Sequence, residues 1–231
     1  RAWLKAGVLD EGRLFHPNSG SPQGGVISPL LSNIYLHEVD RQWCNAAGRP
    51  TSGVILVRYA DDMVLLARSS QEAQAAWERL CKQFADLHLQ VNLEKSRLTD
   101  VVEGFAFLGF EFRRPHRRPL YLFPRQRAVK HVGDRAREVV RSIPSSDTLG
   151  DVIKKLNPVL IGWCTYFRIG NSNRIFHKVD YLVREQVTIW LRRKYQCTWK
   201  RARGRWNYQV LYDKCRLYRM VGKVSHLPGL R

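Results

Sequence analysis

Two β-prone runs, Val54-Ile55-Leu56-Val57 and Met63-Val64-Leu65-Leu66, flank the segment Arg58-Tyr59-Ala60-Asp61-Asp62. Short apolar runs on either side of a polar break read as a β-hairpin, and the turn of this one is acidic. Adjacent carboxylates repel one another unless a cation or a proton intervenes. A divalent metal resolves the repulsion: Mg²⁺ is satisfied by one or two carboxylates plus substrate phosphates, and a pair of such ions can stabilise both oxygens of a phosphoryl transfer. Taken alone, Asp61-Asp62 also fits an ordinary polar turn, where Asp is common, and that plainer reading leads.

The surrounding patterns predict an α+β first half. Residues 1–25 read as turn-rich, ending in Ser19-Gly20-Ser21-Pro22-Gln23-Gly24-Gly25. Ser28-Pro29 then reads as an N-cap and first helical turn, with Leu30, Leu31, Ile34 and Tyr35 as the apolar face of a helix to about Asp40. Ala73, Ala76, Trp77, Leu80, Phe84 and Leu87 recur at helical spacing between Glu72 and Leu87, and Phe105 to Phe112 reads as one strand.

Charge divides the chain. Residues 1–112 carry 11 Lys and Arg against 13 Asp and Glu, whereas residues 113–231 carry 28 against 7, so the formal net charge of +19 belongs to the second half. Such an imbalance points to a polyanion, whose counterions are released when Lys and Arg neutralise phosphates. Arg113-Arg114-Pro115-His116-Arg117-Arg118-Pro119 opens a basic connector, placed at 113–125, and helical periods around 129–143, 149–167 and 175–191 predict a bundle over 126–231. Asn157-Pro158 is expected to kink or divide the middle helix.

The motifs occur in a telling order. Ser21-Pro22-Gln23-Gly24-Gly25-Val26-Ile27-Ser28-Pro29-Leu30-Leu31 resembles motif B of the reverse transcriptases, and Tyr59-Ala60-Asp61-Asp62 resembles their motif C. Val91-Asn92-Leu93-Glu94-Lys95-Ser96 is similar to motif D, and Phe107-Leu108-Gly109-Phe110 to motif E. The wording of motif B is that of the group II intron type, and Asn157-Pro158, Gly162-Trp163 and Tyr166-Phe167 resemble the maturase, or X, segment that serves as its thumb. The resemblance covers nearly the whole chain and is weakest over 196–231. It implies a partial polymerase palm, an antiparallel sheet with helices, over 1–112, followed by a helical thumb.

The resemblance also implies roles. Asp61 and Asp62 match the catalytic, metal-binding carboxylates, and Lys95 matches a lysine that neutralises or protonates the leaving pyrophosphate. An ordinary solvated lysine remains the competing reading of Lys95. Gln23, Gly24 and Tyr59 match positions beside the template, the nucleotide and the primer end, and Leu108 and Gly109 lie in the primer grip. In the basic half, Arg168, Arg192, Arg193, Lys194, Lys200, Arg201, Arg203 and Arg205 are candidates to hold RNA phosphates, with neighbouring aromatic rings available for stacking on unpaired bases. Trp163 and Phe167 fall at core spacing and read as packing residues.

The implied cofactor is Mg²⁺ at a two-metal site, and the implied partners are structured intron RNA, an RNA template with a DNA primer, and dNTPs. The aspartate of motif A, which completes that site and whose motif screens the sugar, should precede Arg1. Only Asp10 and Glu11 precede motif B, neither in an apolar strand context, so this chain alone is expected not to polymerise DNA. Two alternatives stay open: an RNA-binding maturase without polymerase activity, and the reverse transcriptase of a CRISPR or defence system. Five widely spaced cysteines without a C-x-x-C pair predict reduced thiols, and no apolar run reaches the roughly 18 residues of a membrane span. A cytoplasmic location is expected.

Overall fold

The computed structural model describes residues 8–10, 13–15, 27–45, 48–51 and 53–225. The fold mixes helices with small antiparallel sheets, and the chain divides between Leu98 and Thr99 into two compact units. This division falls upstream of the Phe112 boundary read from charge, because the strands that follow residue 104 pair and pack within the second unit.

In the first unit, β1 (Val8–Asp10) and β2 (Arg13–Phe15) form a short antiparallel hairpin. The turn-rich reading of residues 1–25 missed it, since each strand is three residues and shows too few alternations to register. Asp10 thus lies in a strand, contrary to the context read for it. Helix α1 (Ser28–Trp43) has Ile27 as its N-cap, not Ser28, and places Pro29 within the first turn, where a missing N–H costs nothing.

Strands β3 (Ile55–Tyr59) and β4 (Asp62–Leu66) pair in the expected hairpin, with Ile55 opposite Leu66 and Tyr59 opposite Asp62. Helix α2 (Ser70–Asp86) starts where the Ser69 hydroxyl accepts from the Glu72 N–H at 3.2 Å. Leu36, Val39 and Trp43 of α1 join Val54, Ala76 and Leu80 in the core. The Trp43 indole N–H is satisfied there by Gln83 Oε1 at 2.8 Å.

The second unit opens with β5 (Phe105–Phe107), β6 (Phe110–Arg113) and β7 (Tyr121–Pro124) in one three-stranded sheet. Two expectations change. The run from Phe105 to Phe112 is two strands joined by Leu108-Gly109, with Phe107 opposite Phe110. Both loop residues have left-handed φ, 48° and 77°, a conformation that suits a tight hairpin and that glycine adopts freely. The connector also contains a strand, β7, paired with β6 from Phe110–Pro124 to Arg113–Tyr121.

Helices α3 (Gln126–Arg141), α4 (Leu149–Phe167) and α5 (Asn173–Tyr195) follow, then α6 (Trp199–Arg205) and a π-helical turn at Val210–Lys214. Val132, Ala136, Val152, Leu156, Leu160, Phe176, Val179, Val187 and Trp190 supply the buried stripe expected of a bundle. Helix α4 begins with a reciprocal Thr148–Asp151 capping box and runs unbroken through Pro158, so the expected division does not occur. Asn157 instead bridges outward: its amide donates to the Arg216 carbonyl and accepts from the Tyr218 N–H. All five cysteines are free thiols, of which Cys164 is fully buried. Phe167 is core and Trp163 packs against the core, as their spacing predicted.

Candidate active site and nucleic-acid surface

The acidic turn is a two-residue loop, Ala60-Asp61, closed by the Tyr59–Asp62 pair. Alternation along β3 turns Leu56 toward the helices with Met63 and Leu65 of β4, while Ile55, Val57, Tyr59 and Leu66 remain exposed. Tyr59 is 66% exposed, and Asp61 and Asp62 are both open to solvent. Ala60 carries a φ of 54°, a left-handed conformation that costs a non-glycine residue about 1 kcal/mol. A local penalty of this size persists only where surrounding contacts impose it.

Arg58 supplies those contacts. Its side chain shares the packed face with Leu56 and is only 12% exposed. Nε donates to Asp40 Oδ1 of α1 at 2.8 Å, and Nη2 donates to the other oxygen of the same carboxylate. Nη1 donates to Asn33 Oδ1 at 2.8 Å and to the Ala60 carbonyl at 2.9 Å. The hydrogen bond to Asp40 raises the guanidinium above its ordinary value, against the opposing effect of burial, so the group stays charged. Sequence reading missed Arg58. Its parity with Leu56, on a strand whose even positions face inward, was the available signal.

Gln23 and Gly24 lie outside the described residues. Lys95 is exposed in a short turn, where its backbone N–H donates to both the carbonyl and the side chain of Asn92, at 3.2 Å each. Among the described residues, no hydrogen bond or ion pair joins it to the acidic turn.

Leu108 and Gly109, in the second unit, are held on three sides. The Tyr166 hydroxyl donates to the Leu108 carbonyl at 2.9 Å, and the Arg125 N–H donates to the Gly109 carbonyl at 2.9 Å. A Cβ at position 109 would also meet the Phe167 ring at 3.4 Å. Phe110 adds ring contacts to Tyr166 and Phe167, with centroids 5.7 and 4.9 Å apart.

The candidate RNA-binding residues separate into two groups. Arg193 donates to the Ile143 carbonyl at 2.9 Å, and Lys194 donates to the Ser145 and Asp147 carbonyls at 2.8 Å each. These carbonyls lie in the loop after α3: Lys194 is half-buried over them, whereas Arg193 is exposed and spends one N–H of its guanidinium there. Arg192 likewise donates to the Cys197 carbonyl and lies 4.3 Å from the Trp199 ring centroid.

Lys200, Arg201, Arg203 and Arg205 are exposed along α6, and Arg168 is exposed just after α4. Arg203 has an acidic partner that its sequence neighbourhood did not reveal, Glu185 on α5 at 3.0 Å, and it also lies over Trp199 at 5.0 Å. Arg205 lies over Trp206 at 4.9 Å, and Trp206 stacks on Tyr195. The rings of Trp199 and Trp206 therefore carry guanidinium groups, and Trp206 also has a ring neighbour.

Among the described residues no group of three or more His, Cys, Asp or Glu is arranged to hold a metal. Asp61 and Asp62 fit part of a magnesium site: two adjacent, solvent-facing carboxylates offer the hard oxygen ligands that the ion accepts beside substrate phosphates. No helix of the described residues is long and apolar enough to cross a membrane.

Two family models match successive parts of the chain. Residues 2–112 match the model of the reverse transcriptase (RNA-dependent DNA polymerase) family, and residues 129–209 match that of the group II intron maturase-specific domain. The chain is a member of the reverse transcriptases and, within them, belongs to the group II intron reverse transcriptase/maturase family.

Protein YkfC of Escherichia coli is 35% identical over 135 residues, covering 46% of this chain and 35% of that protein. The group II intron-encoded protein LtrA of Lactococcus lactis is 56% identical over 39 residues, 17% of this chain and 6% of LtrA. A 91 kDa protein in the cob intron of Schizosaccharomyces pombe is 50% identical over 40 residues, 17% of this chain and 5% of its own length. The matched stretches thus span about a third or less of each relative.

Proposed function

We propose that the intact protein containing this chain is an RNA-directed DNA polymerase of a group II intron element that also assists splicing by binding intron RNA. The observation that carries this reading is the open Asp61-Asp62 pair where the Ala60-Asp61 loop enters β4, in a chain matched by both the reverse transcriptase and the maturase models. Asp61 is the firmer metal ligand and Asp62 supports it. Magnesium bound there would neutralise phosphate charge and activate the attacking primer hydroxyl.

The other roles are carried by this chain's own residues. Tyr59 sits beside the primer end, and Gln23 and Gly24 lie against the template and the incoming dNTP. Lys95 balances the charge of the leaving pyrophosphate. Leu108 and Gly109 grip the primer strand, a role supported by how firmly their turn is held. Arg168, Arg193, Lys200, Arg201, Arg203 and Arg205 contact RNA phosphates, whereas Lys194 acts within the fold. Two carboxylates are half of a two-metal centre, so residues 1–231 alone are inactive in extension, and the motif A aspartate of the intact protein completes the site.

Extension of a DNA primer on an RNA template by the intact protein tests this reading. Activity that requires Mg²⁺ and disappears in Asp61→Ala is the expected result. Mg²⁺-dependent extension that survives Asp61→Ala would overturn it.

A further inference from the structure

The guanidinium of Arg58 is joined at once to α1 and to the acidic loop. Its fork holds Asp40, and Nη1 spans Asn33 Oδ1 and the Ala60 carbonyl. Asn33 and Asp40 are seven residues apart on α1, two helical turns, and so present one face to the strand. The Ala60 carbonyl belongs to the peptide that enters Asp61. Holding that oxygen fixes the plane of the peptide, and with it the direction in which the first carboxylate leaves the backbone. Ala60 is left-handed, a conformation that an unrestrained alanine would leave.

We propose that Arg58 is a positioning residue for the acidic loop, clamping the Ala60-Asp61 peptide to α1 so that Asp61 is presented to metal in one orientation. This inference rests on the polymerase reading above. It assigns Arg58, Asn33 and Asp40 to catalysis without contact with substrate. Preorganisation of this kind acts on turnover: a ligand displaced by a fraction of an ångström weakens the reacting geometry more than it weakens nucleotide binding.

The test is steady-state primer extension by the intact protein at varied dNTP and varied Mg²⁺, comparing wild type with Arg58→Gln, Arg58→Lys, Asn33→Ala and Asp61→Ala. Thermal midpoint and RNA affinity are measured on the same preparations. Arg58→Gln is expected to lower kcat by about tenfold or more, to change the KM for dNTP by less than about threefold, and to raise the half-saturating Mg²⁺ concentration. RNA affinity should stay unchanged.

Arg58→Lys keeps the charge and loses the fork, so it should recover only part of kcat. Asn33→Ala, which leaves the Asp40 fork in place, should shift kcat and Mg²⁺ dependence in the same direction by a smaller factor. It also keeps the inference testable if Arg58→Gln does not fold. A folded Arg58→Gln whose kcat and Mg²⁺ dependence stay within twofold of wild type would overturn the inference. So would activity falling only in step with thermal midpoint and RNA affinity while Asn33→Ala stays normal. If Asp61→Ala is inactive and Arg58→Gln is normal, this inference alone fails. If Asp61→Ala remains active, the polymerase reading fails and takes this inference with it.

Discussion

The Tyr166 hydroxyl donates a 2.9 Å hydrogen bond to the Leu108 carbonyl, tying the last turn of α4 to the tip of the β5–β6 hairpin. Leu108 and Gly109 have consecutive left-handed φ, and the bond holds the carbonyl between them. Tyr166→Phe keeps the ring against Phe110 and Phe167 and removes only the donor. Chemical denaturation should show a loss of about 1 kcal/mol, the usual net value of one such bond. In the intact protein, primer–template affinity should weaken while Mg²⁺ dependence stays unchanged.

Gly170 has φ of 83°, and a Cβ there would meet the Leu122 carbonyl oxygen at 2.7 Å and the Leu122 Cβ at 2.9 Å. The same stretch joins the sheet to the helices, through Asn171 N–H to the Leu122 carbonyl at 2.7 Å and Leu122 N–H to Asn171 Oδ1 at 3.1 Å. Gly170→Ala adds strained backbone to a backbone clash and should cost about 2 kcal/mol or more. Urea denaturation of this chain reads the loss directly.

Asp180 is buried and accepts the N–H groups of Met220 and Val221, all at 3.2 Å. Burial raises its carboxyl above the ordinary value, and the two backbone donors offset only part of that effect. A raised acid stabilises the fold fully below its unfolded pKa near 4, and the contribution is lost as pH rises through the folded value. Stability of wild type relative to Asp180→Asn should therefore decline from about pH 4 upward. Asp180→Ala, which leaves two N–H groups without an acceptor, should cost about 1–3 kcal/mol near pH 4, and the difference from wild type should narrow as pH rises. Denaturation midpoints across pH for the three proteins check both statements.

Lys200 and Arg201 are exposed on α6, whereas Lys194 is held by the carbonyls of Ser145 and Asp147. Replacing Lys200 and Arg201 with Gln should weaken RNA binding and reduce the salt slope by about 1 for each phosphate no longer neutralised, with the melting temperature unchanged. Lys194→Gln should do the reverse, lowering stability while largely sparing the slope. Titrations of RNA at several salt concentrations, paired with thermal melts, separate the two.

Local periodicity made much of this architecture legible. The β3–β4 hairpin, the apolar stripes of α2 to α5, the core position of Phe167 and the packing of Trp163 against that core follow from alternation or helical spacing within one segment. What escaped depends on partners distant in sequence or on conformations that composition hides. Arg58 meets Asp40 and Asn33, and Arg203 meets Glu185, across separations that no local pattern records. Leu108-Gly109 reads as the middle of an apolar strand until its positive φ values break it in two. Lys194 looks like a phosphate ligand in a basic run, yet the carbonyls after α3 claim it. The acidic pair was legible as a motif, but the clamp behind it was not.

The most direct test of the central claim is the initial rate of DNA synthesis on an RNA template by the intact protein, wild type against Asp61→Ala, at saturating Mg²⁺ and equal RNA affinity. Loss of a metal ligand should lower the rate by about a thousandfold or more with RNA binding preserved. A rate within about threefold of wild type in Asp61→Ala would contradict the assignment of the Asp61-Asp62 turn as the metal-binding half of a polymerase site.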